Sequence, residues 1–94
     1  MLKHSLGIIE TNSLSSAFEI AHLMVDKFEV TLSNVRQLLN GYTTVFIKGE
    51  LGAVQQAIDF GAGHCTEKNS LVAKSVIAVP HQDLFNFIEG EKDE

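Results

Sequence analysis

A chain of 94 residues makes one domain. It can bury a core, since roughly two thirds of the unfolded surface disappears at this size, but its stability margin is small enough that self-association would help. Seven basic against 12 acidic residues leave a net charge of −5, which argues against a phosphate-binding surface because such a surface needs a basic stripe. One cysteine cannot close an intramolecular disulfide, no apolar run is long enough to span a membrane, and Met1-Leu2-Lys3-His4 leads into strand-like sequence without a signal peptide's long apolar region. The chain therefore reads as soluble and intracellular.

In chain order, Ser5 to Thr11 is a short apolar run that predicts a buried strand. Asn12-Ser13 supplies two residue types that cap helix N-termini. From Leu14 to about Lys27, the residues Leu14, Phe18, Ala21, Val25 and Phe28 repeat at four- and three-residue steps, one apolar stripe on a helix. Val30 to Lys48 holds two strand-like runs that meet at Asn40-Gly41, a pair that tolerates the positive φ of a tight hairpin turn. The first run alternates through Val30 and Leu32, then slips phase at Val35, which predicts a bulge near Ser33–Asn34.

Gly49 breaks the second strand, and Glu50 suits the positive end of a helix dipole. Leu51, Val54, Ile58, Ala62 and Cys65 form a second helical stripe, with Gly52, Gly61 and Gly63 predicted to let this helix approach the sheet closely. Leu71 to Val79 is a further strand run ended by Pro80. Asp83 to Ile88 predicts a short helix with Leu84, Phe87 and Ile88 inward. The expected fold is α+β: a βαββαβ sandwich with a four-stranded, mainly antiparallel sheet, two helices on one face and a short C-terminal helix. One domain over residues 3–88 and a disordered acidic tail over 89–94 are expected.

Few residues suggest chemistry. Cys65 lies on an apolar stripe beside His64 and reads as a small buried hydrophobe rather than a metal ligand or redox thiol. His4, His22, His64 and His81 are scattered without HxxxH or CxxC spacing, so no metal site and no cofactor are expected. Glu10, Asp59 and Glu67 lie nearest apolar runs, but acid–base catalysis needs two groups with separated pKa values in one cleft. Gly49-Glu50-Leu51-Gly52 lacks the lysine of a phosphate loop. Phe60 breaks its stripe and faces either its own sheet or a neighbouring subunit. An enzyme is the least supported reading.

A set of ordered segments carries more. Leu6-Gly7-Ile8-Ile9-Glu10-Thr11, Ala21-His22-Leu23-Met24-Val25, Lys48-Gly49-Glu50-Leu51-Gly52-Ala53-Val54, Asp59-Phe60-Gly61-Ala62 and Val76-Ile77-Ala78-Val79-Pro80-His81 follow one another at a spacing that resembles the bacterial microcompartment shell proteins of the single-domain, hexamer-forming type. The match runs from Ser5 to His81 without an apparent gap. The resemblance implies a six-fold ring in a shell around encapsulated enzymes. It places Leu39, Asn40 and Gly41 around a central pore for small polar metabolites, and it implies a homo-hexamer or a mixed hexamer with other shell proteins, with no nucleic acid or membrane as partner.

Three departures are informative. The family's pore loop reads glycine, small residue, glycine, whereas Leu39 and Asn40 occupy its first two positions here. Ring-to-ring contacts in the family use a lysine where this chain has Asp26 and an arginine where it has Val79; Lys27 neighbours the first position and His81 belongs to the same edge. A carboxylate in place of an ammonium reverses that edge's electrostatics, which predicts a minor or specialised shell component rather than the bulk tile.

The alternative is a small dimeric effector-binding α+β module, with its site near the helix start at Asn12-Ser13. RNA binding through Tyr42, Phe46 and Lys48 on an open sheet face is a third reading, and the net charge opposes it.

Overall fold

The computed structural model describes residues 4–78 and 82–90. Its elements are β1 (Ser5–Thr11), α1 (Leu14–Lys27), β2 (Val30–Gln37), β3 (Thr43–Gly49), α2 (Leu51–Glu67), β4 (Leu71–Ala78) and α3 (Gln82–Glu89). The strands lie in the order β2-β3-β1-β4, and all three pairings are antiparallel. β1 is central because its alternate residues serve both faces. Gly7 and Ile9 lie under α2, while Leu6 and Ile8 join Phe46 beneath α3.

Helices α1 and α2 cover one face through Ala17, Ile20, Ala21 and Met24 and through Val54, Ala57, Ile58 and Cys65, packed on Ile9, Val45 and Ile47. The buried stripe of α1 is thus rotated from the expected one. Leu14, Phe18 and Val25 are exposed, Phe18 by 56%. Both stripes obey helical periodicity. The sheet takes the one that joins Ala17, Ile20 and Met24 to the shared Ala21, and leaves the bulkier ridge outside. Leu51, expected inward on α2, is also exposed.

Of the three glycines in α2, only Gly61 mediates close packing: a Cβ there would lie 2.8 Å from Ile9 Cδ1 and 2.9 Å from Met24 Sδ. Gly52 and Gly63 face open space. Gly7 is the sheet's counterpart, since a Cβ there would lie 2.7 Å from Ile58 Cγ1.

Ser13 caps α1, its Oγ accepting from the Ser16 N–H at 3.2 Å. The C-terminus of α2 is closed by Asn69 at φ 57°, with the Ser70 N–H and Oγ both donating to the Cys65 carbonyl. Outside the core, Glu19 of α1 lies 3.4 Å from His64 Nε2 and 3.5 Å from Lys68 Nζ at the end of α2. These partners, His64 first, hold the Glu19 carboxyl below the usual carboxylate range.

Helix α3 lies on the opposite sheet face and buries Phe85 and Ile88 against Leu6. The expected inward trio is corrected by this: Leu84 is exposed and Phe87 is 74% exposed. The register follows the sheet, whose Leu6, Ile8 and Phe46 offer an apolar floor for Phe85. His4 packs edge-on to the Phe85 ring at 5.7 Å and Lys48 Nζ lies 5.5 Å from its centroid. Glu89 belongs to α3 and bonds to Lys48 and Ser33, so a disordered tail beginning at Glu89 is corrected; residues 91–94 lie outside the described residues.

Candidate functional site

The hairpin between β2 and β3 projects Leu39, Asn40 and Gly41 together at its tip. The turn is not the two-residue form that Asn-Gly suggests. The Gly41 N–H donates to the Leu38 carbonyl at 3.0 Å, and the Leu38 N–H donates to the Tyr42 carbonyl at 2.7 Å, which leaves a three-residue loop. Within this turn only Gly41, at φ 90°, takes a positive φ. Asn40 keeps an ordinary backbone because its side chain closes the turn instead: Oδ1 accepts from the Tyr42 N–H at 3.0 Å. Leu39 is fully exposed, and nothing lies within 4 Å of a Cβ built on Gly41.

β2 carries the expected bulge. Its register with β3 shifts between Leu32 and Asn34, and the bulge turns polar side chains toward α3. Asn34 Nδ2 donates to the Ile88 carbonyl at 2.7 Å, and Arg36 Nη2 donates to the same oxygen at 3.1 Å. Ser33 Oγ donates to Glu89 at 3.1 Å. The strand that leads to the tip is thereby tied to the carboxyl end of α3, where donors and positive charge are favourable.

Asp26 and Lys27 lie at the far end of the same strand, in the last turn of α1. Eight residues of β2 at about 3.3 Å each put the tip roughly 25 Å from its start. The tip and the expected ring edge are therefore at opposite ends of β2 and form no joint site. Asp26 is exposed. Lys27 Nζ sits 5.8 Å over the Phe60 ring, and Phe60 packs on Phe28 at 5.6 Å, so Phe60 covers its own subunit. Val79 and His81 lie outside the described residues.

The other candidate residues are occupied or apart. Burial pushes the Cys65 thiol up from its ordinary value, as befits an inert core thiol. Asp59 pairs with Lys74 at 3.3 Å on the surface. Among the described residues, no group of three or more His, Cys, Asp or Glu could hold a metal ion. At Asn12-Ser13 the groups that would greet a ligand are engaged: Ser13 Oγ in the cap, the Asn12 N–H on the Ser70 carbonyl and Asn12 Nδ2 on the Asn69 carbonyl. Phe46 and Lys48 lie against α3 and not on an open sheet.

Sequence reasoning missed the exposed ridge of Leu14, Phe18 and Val25, which it had assigned to the core. A second periodic stripe, Ala17, Ile20 and Met24 beside the shared Ala21, was the available signal. It also missed Asn34 and Arg36, since no local pattern reveals a partner some fifty residues away.

The family profile described as "BMC domain" matches residues 5–80. The carboxysome shell protein CsoS1B of Hydrogenovibrio crunogenus is 39% identical over 94% of this chain and 92% of its own length. The bacterial microcompartment shell protein PduA of Citrobacter freundii is 36% identical over 89% of this chain and 90% of its own. A probable carboxysome shell protein, CsoS1E of Prochlorococcus marinus, is 41% identical, and this chain spans 40% of that relative's length. The fold superimposes on a microcompartment protein from Desulfitobacterium hafniense DCB with a TM-score of 0.87 at 22% identity, over 99% of this chain and 51% of that one. The chain belongs to the BMC-domain family of bacterial microcompartment shell proteins.

Proposed function

We propose that six copies of this chain, alone or mixed with other shell proteins, form a ring in a microcompartment shell, with the Leu39–Gly41 tips around a central pore that passes small polar metabolites. The protein is a structural barrier and not an enzyme. The observation that carries the ring is apolar surface on both edges of one sheet. On one side, Leu32 of β2 and the Leu14, Phe18 and Val25 ridge of α1 are exposed; on the other, Val72 and Ile77 of β4 are. Two different sticky edges on opposite sides of a subunit favour head-to-tail contact, which closes into a ring when the rotation permits. Fully exposed Leu39 adds support, because a large apolar side chain with nothing packed on it in its own subunit gains from meeting its copies.

The ring is proposed to be a minor or specialised component because Asp26 presents a carboxylate at the expected ring edge. Native mass spectrometry tests the assembly: a six-fold chain mass supports it, and a stable dimer would remove the pore and move the reading to a dimeric binding module.

A further inference from the structure

We infer that Asn40 is a site of spontaneous covalent modification: the Gly41 backbone nitrogen attacks its carboxamide, ammonia leaves, and water converts the residue to aspartate or isoaspartate. The site is complete within one subunit and stands whether or not subunits close a ring. In the first step Gly41 N bonds to Asn40 Cγ and the Cγ–Nδ2 bond breaks. The Gly41 amide proton goes to hydroxide, and the departing nitrogen takes a proton from water to leave as ammonia. The product is a five-membered cyclic imide. Water then opens it, at the side-chain carbonyl to give aspartate or at the main-chain carbonyl of Asn40 to give isoaspartate. One water enters and one ammonia leaves, with no change of oxidation state.

The turn supplies what this chemistry needs. Asn40 Oδ1 accepts from the Tyr42 N–H at 3.0 Å, a bond that closes around the Gly41 nitrogen and keeps Cγ near it. Negative charge grows on Oδ1 during the attack, and the Tyr42 N–H is already placed to stabilise it. Nothing lies within 4 Å of a Cβ built on Gly41, so the imide closes without collision. Nδ2 has no protein partner among the described residues and Asn40 is exposed, which leaves the departing group and the entering water unhindered. One contact opposes: the Gly41 N–H donates to the Leu38 carbonyl at 3.0 Å and must let go before it loses its proton. At an exposed tip with nothing packed on it, that opening is a local event of low cost.

The other asparagines lack this combination. Asn34 is followed by β-branched Val35, and its Nδ2 is held by the Ile88 carbonyl at 2.7 Å. Asn12 Nδ2 donates to the Asn69 carbonyl, and the Ser13 N–H is taken by Thr11 Oγ1. Asn69 precedes buried Ser70, whose N–H is bound to the Cys65 carbonyl. Asn86 lies inside α3, where the next N–H belongs to the helix. Each conversion at Asn40 adds a negative charge to a chain of net charge −5, and isoaspartate also lengthens the main chain of the three-residue loop. The acid fraction at the tip therefore records the age of the molecule.

The test incubates the full chain in buffers from neutral to mildly alkaline pH and follows each asparagine by tryptic peptide mapping and tandem mass spectrometry, with a zero-time control for conversion during digestion. Cleavage after Arg36 and Lys48 isolates the tip on one peptide. Asn40 should convert at least about ten-fold faster than any other asparagine, in line with a nucleophile and an oxyanion donor held in place. The rate should rise with pH, and aspartate and isoaspartate should both form. Ion-exchange chromatography should show an acidic species growing at the position of Asn40→Asp. A parallel incubation in guanidinium chloride removes the turn: Asn40 should convert in the folded protein at least as fast as in the unfolded chain, while the other asparagines should slow on folding.

An Asn40 that stays intact, or that converts no faster than the other asparagines, would overturn the site. A folded rate below the unfolded one would overturn it too, since the bond from the Gly41 N–H to Leu38 would then protect the residue more than the Tyr42 contact activates it.

Discussion

Lys48 Nζ lies 2.6 Å from Glu89 Oε2 and joins the end of α3 to the second strand of the hairpin. The pair closes a small assembly: Ser33 donates to the same carboxylate oxygen, Asn34 and Arg36 donate to the Ile88 carbonyl, and Phe85 seals the apolar floor beneath. The C-terminal helix therefore braces the strand pair that carries the tip.

The brace should be dominated by Phe85. Phe85→Ala removes a fully buried ring and should cost about 3 kcal/mol in urea unfolding. Glu89→Gln should cost under about 1 kcal/mol, since the ion pair is partly exposed. The Lys48 ammonium, donating to Glu89, holds its carboxyl below the usual carboxylate range. A depressed carboxyl contributes stability that is present above its unfolded value and is lost as pH falls through the folded one. Unfolding midpoints of the parent should thus drop on the acid side by more than those of Glu89→Gln. Equal acid sensitivity would show that Glu89 is not linked to folding.

What the sequence revealed depended on how local the cause was. The bulge at Ser33 was legible from a phase slip, and the Ser13 cap from residue type, because both arise within a few residues. The face of α1 was not legible. Phe18 and Ile20 lie on rival stripes of the same helix, and the choice between them is made by the sheet and α2. Leu84 and Phe85 pose the same problem on α3, where Leu6 and Phe46, far off in the chain, decide which residue turns inward. At the tip, Asn-Gly announced a turn, but Asn40's bond to the Tyr42 N–H made it a three-residue loop.

The glycines of the core and of the surface should respond oppositely to alanine. Gly7→Ala and Gly61→Ala each force a Cβ to within 3.0 Å of packed side chains, and each should cost about 1–3 kcal/mol. Gly52→Ala and Gly63→Ala meet nothing within 4 Å and should stabilise by up to about 1 kcal/mol through helix propensity. Denaturant midpoints of the four variants check this, and a loss at Gly52 or Gly63 in dissociated subunits would contradict the open space seen there.

Neighbouring positions of α1 should separate folding from assembly. Ile20→Ala empties a fully buried site and should cost about 2–5 kcal/mol. Phe18→Ser alters an exposed ridge and should leave subunit stability within about 0.5 kcal/mol. If the ridge is a ring contact, Phe18→Ser should nevertheless shift native mass spectra from the six-fold species toward monomer, and Ile77→Lys on the opposite edge should do the same. An intact ring in both variants would place the subunit contact elsewhere.

The proposed ring edge offers the sharpest reversal. Asp26 is exposed in the last turn of α1, where a carboxylate meets the helix dipole's negative end and a lysine would suit it better. Lys27 beside it holds its ammonium 5.8 Å over the Phe60 ring of its own subunit. Asp26→Lys should therefore gain a few tenths of a kcal/mol in subunit stability and, in the proposed ring, remove a repulsive charge from a contact that would repeat on every side. One exposed pair is worth about 1 kcal/mol or less, but a tile makes several such contacts at once, and the gains combine across the lattice. Electron microscopy of concentrated protein should show dispersed rings for the parent and extended sheets for Asp26→Lys. Sheets from the parent itself would mean that Asp26 does not restrain tiling, and that the protein is a bulk tile after all.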